Sequence, residues 1–166
     1  MSLFSQDLIS KDIAMPEGFV IRPLHIEDYH KGFLDCMKGL TMVGNVTYDE
    51  FTYRFRELNQ DYYIVVIEDV NNKRIVGSGT CMVEKKFIRH CGLVGHIEDI
   101  VVDESQRGKR FGLKIIEQLK HLALHTGCYK IILDCAEHNT TFYEKCGLKT
   151  KEIQMVLYFS QNEPKN

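Results

Sequence analysis

The chain contains a basic, glycine-containing stretch with the residue types needed to bind a phosphate group. Arg107, Gly108, Lys109, Arg110 and Gly112 follow the apolar end of a predicted strand and precede an amphipathic helix. The first N–H groups of a helix lack intrahelical partners, and the helix dipole adds partial positive charge there. The stretch therefore predicts a cradle for a pyrophosphate. A plain surface turn that caps a helix is the alternative.

Acidic residues interrupt two otherwise apolar runs. Glu98 and Asp99 lie within GHIEDIVV, and Asp134 ends the run IILD. Adjacent strand residues face opposite sides of a sheet, so we expect at least one of Glu98 and Asp99 on a covered face. Such a carboxylate would either do chemistry in a cleft or be a hydrogen-bonded structural group near a strand bulge.

Neither a metal site nor a disulfide framework is predicted. The six cysteines include no CxxC pair, and several lie in apolar runs that predict small buried thiols. His121 and His125 are one helical turn apart, but no carboxylate or cysteine ligand lies near them in the sequence.

Composition indicates a single domain with one core. The chain has 166 residues, of which 44% are hydrophobic, and a formal net charge of −2. This charge disfavours a general nucleic-acid or anionic-membrane binder. No apolar run approaches the roughly 20 residues that span a bilayer, and the N-terminus does not resemble a signal peptide. We expect a cytoplasmic protein, with import into an organelle left open.

Hydrophobic periodicity predicts alternating strands and helices. A capping box of Thr47 and Glu50 begins one helix, and Asn71-Asn72 is the turn of a hairpin. A right-handed crossover should place the fourth and fifth strands side by side and parallel. The predicted strands cover residues 19–22, 61–70, 74–84, 93–102, 129–135 and 153–159, and the predicted helices cover 23–38, a segment from 47, 110–125 and 139–145. This order predicts a mixed sheet with helices on both faces.

The order of these motifs resembles the GNAT acetyltransferases, which bind the pyrophosphate of acetyl-CoA at a Q/R-x-x-G-x-G/A loop. Arg107 fills the first position of that pattern and Gly112 the last, while Arg110 stands where the middle glycine is usual. The strings GHIEDI, CYKIILDC, FYEKCG and LTMVGNVTYDEF narrow the resemblance to the glucosamine 6-phosphate N-acetyltransferases, from about Pro16 to Phe159.

The resemblance implies an α/β fold with a central mixed, largely antiparallel sheet flanked by helices on both faces. It places a single GNAT domain at residues 16–160, between an N-terminal extension (1–15) and a C-terminal tail (161–166). The implied reaction is direct attack by the amine of D-glucosamine 6-phosphate on acetyl-CoA, without metal. The implied catalytic residues are Glu98, Asp134, which orients the amine, and Tyr143, which donates a hydrogen bond to the leaving thiolate.

The resemblance also implies two sets of ligand contacts. Acetyl-CoA would contact Glu98, Asp99, Ile100, Val102, Arg107, Gly108, Lys109, Arg110, Phe111, Gly112, Asn139, Phe142 and Tyr143. The sugar phosphate would contact Thr41, Lys86, Phe87, Ile88, Arg89, Glu98, Asp99 and Asp134. The family also forms homodimers that complete each other's sugar sites, for which the apolar run VLYF is a candidate interface. Tyr158 occupies the region where the family has a basic phosphate contact.

Two other functions stay open at this point. One keeps the acetyltransferase but changes the acceptor to another small amine or a protein lysine, although the cations Lys86 and Arg89 would repel a cationic acceptor. The other is a CoA-binding module without catalysis, against which Glu98, Asp134 and Tyr143 argue. A covalent acetyl-enzyme at Cys135 is disfavoured because the family transfers the acetyl group directly.

Overall fold

The sheet lies in the first of two compact units. The computed structural model describes residues 1–58 and 60–159, and the chain divides into Met1–Leu133 and a second unit from Asp134 onward. The strands are Phe19–Pro23 (β1), Tyr62–Asp69 (β2), Arg74–Lys85 (β3), Leu93–Val102 (β4) and Cys128–Ile132 (β5). They form one sheet in the order β1-β2-β3-β4-β5, with β4 and β5 parallel and the other neighbours antiparallel. The predicted mixed, largely antiparallel sheet is confirmed.

Helices cover both faces of the sheet, as predicted. The first unit contains Phe33–Met37 (α1), Tyr48–Glu57 (α2) and Phe111–His125 (α3), and the second contains Thr140–Lys145 (α4). On one face, α3 buries its predicted apolar side. On the other face, side chains of α1 and α2 pack into one cluster with Val66, Ile75 and Val101. The residues that α3 was predicted to bury, all at most 2% exposed, are Ile115, Ile116, Leu119, Leu122 and Ala123.

The predicted capping box is present, whereas one predicted helix is interrupted. Thr47 accepts a hydrogen bond from the Glu50 N–H, and the Glu50 side chain accepts one from the Thr47 N–H, so the capping box begins α2. The predicted helix over 23–38 is wrong as a single element. Gly32, with φ of 76°, separates a 3₁₀ helix at Ile26–Lys31 from α1. A left-handed residue interrupts helical hydrogen bonding, and glycine adopts that conformation without steric strain.

The predictions for the C-terminal strands need correction. β5 ends at Ile132, so Asp134 lies two residues beyond the strand rather than at its end. The structure assigns no strand to 153–159, where Ile153, Met155 and Leu157 are 89%, 89% and 77% exposed. An alternating apolar pattern becomes a strand only when another strand supplies its hydrogen bonds, and no described residue of this chain does so here.

The predicted N-terminal extension, residues 1–15, is part of the first unit and forms hydrogen bonds with it. The Leu3 N–H donates to the Leu24 carbonyl at 2.8 Å, and the Ser10 N–H donates to Gln118 Oε1 at 3.1 Å.

Among the cysteines, Cys36, Cys81 and Cys146 are buried as predicted, whereas Cys91 and Cys135 are exposed. None of the helices in the described part of the chain is long and apolar enough to cross a membrane.

Candidate active site

The parallel strands β4 and β5 separate and leave part of β4 uncovered. Their pairing runs from Leu93 to His96 on β4, whereas β4 continues to Val102. Within the described residues of the first unit, Ile97 to Val102 therefore pair only with β3. One edge of this segment presents backbone N–H and C=O groups without a partner strand, where an extended ligand can bind as an additional strand.

A β-bulge lies in this uncovered segment. Thr80 pairs with Glu98 and Ser78 with Val101, so Asp99 and Ile100 together lie opposite Gly79. Asp99 has φ of 53°, a conformation that Asp adopts more readily than most residues. Gly79 is required here because a Cβ would lie 2.4 Å from Ile115 and 2.6 Å from Ile100.

The bulge explains why one expectation about the two carboxylates is wrong. Glu98 and Asp99 are both exposed, although strand alternation predicted at least one of them on a covered face. A bulge residue does not follow the alternation of a regular strand, so successive side chains can both reach solvent. The bulge lies in the part of β4 that does not pair with β5. Both carboxylates are therefore close to any ligand that binds along this edge.

The basic loop before α3 is open for an anion. Gly108 has φ of 85°, and nothing lies within 4 Å of the position of a Cβ there. Arg110 has φ of 58° and precedes α3 without a side-chain cap, so no side chain satisfies the first N–H groups of the helix. Arg110 thus adopts the left-handed conformation that the family's middle glycine adopts easily.

Two of the basic side chains of this loop, those of Lys109 and Arg107, contact other residues of the protein. The Lys109 ammonium lies 4.3 Å from the centre of the Phe19 ring and 2.6 Å from Gln106 Oε1. The Arg107 guanidinium donates to Glu104 Oε1 at 2.8 Å. Phe111 is 1% exposed. The loop therefore offers backbone N–H groups to an anion, together with the exposed Arg107 side chain.

The predicted phosphate contacts lie in the connection between β3 and β4. Lys86 Nζ is 2.6 Å from Glu84 Oε1, and Phe87 and Ile88 are 96% and 64% exposed. Arg89, with φ of 56°, begins a run of three left-handed residues that ends at Cys91. Left-handed conformations cost roughly 1–2 kcal/mol per non-glycine residue, and such strain clusters at functional sites. Thr41 is exposed in the connection between α1 and α2.

The second unit holds the other predicted residues. Tyr143 is half-buried on α4, with its ring 5.0 Å from that of Phe142. Burial, together with Cys135 and Cys146 nearby, raises the pKa of Tyr143, so its phenol keeps its proton at neutral pH. The exposed Asp134 accepts a hydrogen bond from Gln154 Nε2 at 3.0 Å, and Asn139 is exposed before α4.

The sequence interpretation missed Glu84 and His96. The His96 imidazole lies 2.7 Å from Glu84 Oε2, while the other oxygen of Glu84 binds Lys86. Strand alternation was the available signal, because His96 is two residues before Glu98 and shares its face. Among the described residues, no group of three or more His, Cys, Asp or Glu side chains could hold a metal ion.

Comparison with known proteins identifies the family. Residues 22–148 match the model of the acetyltransferase (GNAT) family. The glucosamine 6-phosphate N-acetyltransferase of Arabidopsis thaliana is 49% identical over 148 residues, which cover 87% of this chain and 99% of the plant protein. Glucosamine 6-phosphate N-acetyltransferase 1 of Dictyostelium discoideum is 48% identical over 145 residues, covering 86% and 92%.

A solved structure agrees with these relatives. The crystal structure of the Arabidopsis enzyme matches with a TM-score of 0.85 at 48% identity, covering 87% of this chain and 100% of that chain. The resemblance that the motifs predicted is thus confirmed over most of the chain. The protein belongs to the acetyltransferase (GNAT) family, in which these relatives are glucosamine 6-phosphate N-acetyltransferases.

Proposed function

We propose that the protein transfers the acetyl group of acetyl-CoA to the amine of D-glucosamine 6-phosphate, giving N-acetyl-D-glucosamine 6-phosphate and CoA. The observation that carries this proposal is the edge of β4 beside the bulge at Asp99, which no strand pairs with among the described residues of the first unit. A thioester bound along this edge has backbone N–H groups available for its carbonyl oxygen, which is the polarisation that acyl transfer requires. The names of the relatives support the acceptor.

The cosubstrate site consists mainly of backbone groups. The edge of β4 from Glu98 to Val102 supplies hydrogen bonds for the pantetheine arm, and the Ile100 N–H is the candidate donor to the thioester carbonyl. The uncapped N-terminus of α3, with the open Gly108 position before it, suits the pyrophosphate. Asn139 and Phe142 contribute further contacts to CoA.

The family resemblance assigns a role in the chemistry to each of four residues. Acetyl-CoA supplies the acetyl group as an activated thioester. Asp134 orients the sugar amine for direct attack, and Glu98 and Asp99 bind the sugar. The Tyr143 hydroxyl donates a hydrogen bond to the leaving thiolate. Its raised pKa supports this role, because a phenol must be protonated to act as the donor.

The charges of the β3–β4 connection favour a phosphorylated acceptor. Lys86 and Arg89 are cations there, which attract a phosphate and repel a polyamine or a lysine side chain. Phe87 and Ile88 complete this part of the proposed sugar site. Tyr158 stands where the family has a basic phosphate contact, so we assign the phosphate mainly to Lys86 and Arg89.

A homodimer and a cytoplasmic location form part of the same proposal. The segment 153–159 is apolar and exposed, and β5 is an edge strand of the sheet. Proteins usually cover such edges and patches. A second copy of this chain that covers them would also bring residues to each sugar site, as in the family.

Substitution of Tyr143 and Asp134 tests the mechanism. Tyr143→Phe removes only the hydroxyl, and we expect kcat to fall by about 10²-fold, the usual size of a lost general acid. Asp134→Ala should lower kcat through misplacement of the amine. CoA affinity, measured by isothermal titration calorimetry, should change less than threefold in both. Phe142→Leu is the matched control, with a larger effect on CoA binding than on kcat. Full activity of both variants would contradict the mechanism.

A further inference from the structure

Glu84 joins two side chains on one face of the β3–β4 hairpin. Its Oε1 lies 2.6 Å from Lys86 Nζ, and its Oε2 lies 2.7 Å from His96 Nε2. Hydrogen bonds from Lys86 and His96 lower the pKa of Glu84, so its carboxyl group is ionised. An ionised carboxylate only accepts hydrogen bonds, and Nε2 of His96 must therefore carry the proton that it shares with Glu84.

This hydrogen bond fixes the tautomer of the neutral imidazole. With a proton on Nε2, the lone pair lies on Nδ1, which becomes the nitrogen able to accept a proton. A histidine that a carboxylate holds in one tautomer is the usual arrangement of a general base in acyl transfer. Glu84 also stabilises the imidazolium that forms when Nδ1 is protonated.

The position of His96 is appropriate for such a base. It is the last residue of β4 that pairs with β5, so it lies where the two strands separate. It pairs with Met82 while Glu98 pairs with Thr80, without an intervening bulge, so both side chains are on one face. Two strand residues span about 7 Å, a distance that one water can bridge between the imidazole and an amine bound at the bulge.

The proposed reaction leaves one role without a residue. An amino sugar binds largely as an ammonium ion, and its nitrogen must lose a proton before it can attack. In that reaction Glu98 binds the sugar, Asp134 orients the amine, and Tyr143 acts on the leaving group. We propose that His96 is the general base that deprotonates the acceptor amine, with Glu84 as its positioning residue. This inference rests on the proposed acetyl transfer.

Every proton in this step has a donor and an acceptor. The N–H bond of the ammonium breaks, and the proton goes to His96 Nδ1. The freed amine forms the C–N bond with the thioester carbon while the C–S bond breaks. Tyr143 protonates the thiolate, and its phenolate recovers a proton from the acylated nitrogen. His96 then releases its proton to water, so one proton leaves for each acetyl group transferred.

Several charged or titratable groups lie on the elements around the imidazole. On β3 these are Glu84 and Lys86, and on β4 the next charge on the same face is Glu98. On β5 the charged residue nearest in register is Lys130, which pairs with Val94. Helix α1 packs at the Val101 end of β4, where its titratable residues are Asp35 and Cys36.

The pH profile of His96→Gln tests this proposal. At about pH 7 the variant should have kcat/KM for glucosamine 6-phosphate about 10²-fold below the unmodified protein, since a general base typically contributes 10²–10⁴. The difference should close to within about threefold near pH 9, where water supplies the free amine. Added imidazole should restore part of the activity of His96→Ala. Glu84→Gln should move the acid limb of the profile to lower pH, because the imidazolium loses its carboxylate.

The control is a neighbouring ion pair between a lysine and a carboxylate. Asp61→Asn removes the carboxylate that pairs with Lys85, one residue from Lys86, and its pH profile should match that of the unmodified protein. A His96→Gln loss that is equal at every pH would show a structural or binding role and overturn the proposal. An unchanged profile would overturn it too. Absence of turnover in the unmodified protein would instead contradict the proposed function.

Discussion

A single backbone angle accounts for the departure of this chain from the family's loop pattern. Arg110 adopts φ of 58° immediately before α3, the conformation that glycine adopts without a steric penalty. Gly108, with φ of 85°, is the other left-handed residue of the same loop. The loop thus keeps the geometry that a second glycine would permit, at a local cost of roughly 1–2 kcal/mol.

Replacement of Arg110 by glycine should relieve this strain. We expect Arg110→Gly to leave the free energy of unfolding unchanged or raise it by up to about 1 kcal/mol, because relief of strain exceeds the added entropy of the unfolded chain. Gly108→Ala is the matched control and should lower it by about 1 kcal/mol. Urea unfolding followed by circular dichroism measures both. A loss above about 1 kcal/mol in Arg110→Gly would contradict this account of the loop.

Residue types and spacing predicted some of the candidate site and missed other parts. The basic loop and the carboxylates at 98, 99 and 134 could be found because they interrupt apolar patterns. The Glu84–His96 pair depends on register between two strands, which sequence spacing does not specify. Likewise, the ion pair of Arg107 and the ring contact of Lys109 are formed with residues outside the motif.

Buried charges join three elements at one end of the sheet. Arg22 on β1 binds both oxygens of Asp28, at 2.7 and 2.8 Å, in the 3₁₀ helix Ile26–Lys31. Its guanidinium also contacts Glu68 on β2 at 2.6 Å, and Lys31 binds the other Glu68 oxygen at 2.6 Å. Burial alone would raise the pKa of Glu68, but hydrogen bonds from Lys31 and Arg22 lower it.

The lowered pKa predicts acid sensitivity. A carboxyl group with a depressed pKa in the folded state stabilises the fold above its unfolded pKa, near 4.5, and loses this contribution as the pH falls below that value. Glu68→Gln should lower the free energy of unfolding by about 1–3 kcal/mol at neutral pH, with a smaller difference from the unmodified protein near pH 3. Urea titrations across this range measure it.

The exposed pair of Arg54 and Glu57 provides the control for that experiment. Glu57 is 45% exposed in its side chain, so Glu57→Gln should change stability by less than about 1 kcal/mol at any pH. A Glu68→Gln effect that stays constant from neutral to acid pH would show that the carboxylate charge does not stabilise these three elements.

Elements with local signals were predicted well, and those that depend on distant partners were not. Helix α3 and the β2–β3 hairpin follow from periodicity and turn residues close in sequence. The bulge in β4 depends on close packing of Gly79 against Ile115, residues 36 positions apart. The residue at which β5 ends depends on pairing with a distant strand, and so does whether residues 153–159 form a strand. No local sequence pattern specifies such pairing.

The proposed dimer predicts a change of mass when the exposed tail becomes polar. Met155→Asp together with Leu157→Asp places two charges in the apolar segment 153–159 and should convert a dimer to a monomer in sedimentation velocity. Tyr53→Asp is the control, because Tyr53 is 67% exposed on α2 and lies outside the proposed interface. A dimer that survives both tail substitutions would place its interface elsewhere.

Acceptor choice tests the central claim most directly. The measurement follows thiol release from acetyl-CoA by the purified protein with glucosamine 6-phosphate, glucosamine or a lysine peptide as acceptor. We expect kcat/KM for glucosamine 6-phosphate to exceed that for the other two by more than about 10²-fold. The other two acceptors have no phosphate, so Lys86 and Arg89 cannot contribute binding energy to them. Faster turnover of glucosamine or the peptide, or no thiol release with any of the three, would contradict the proposed function.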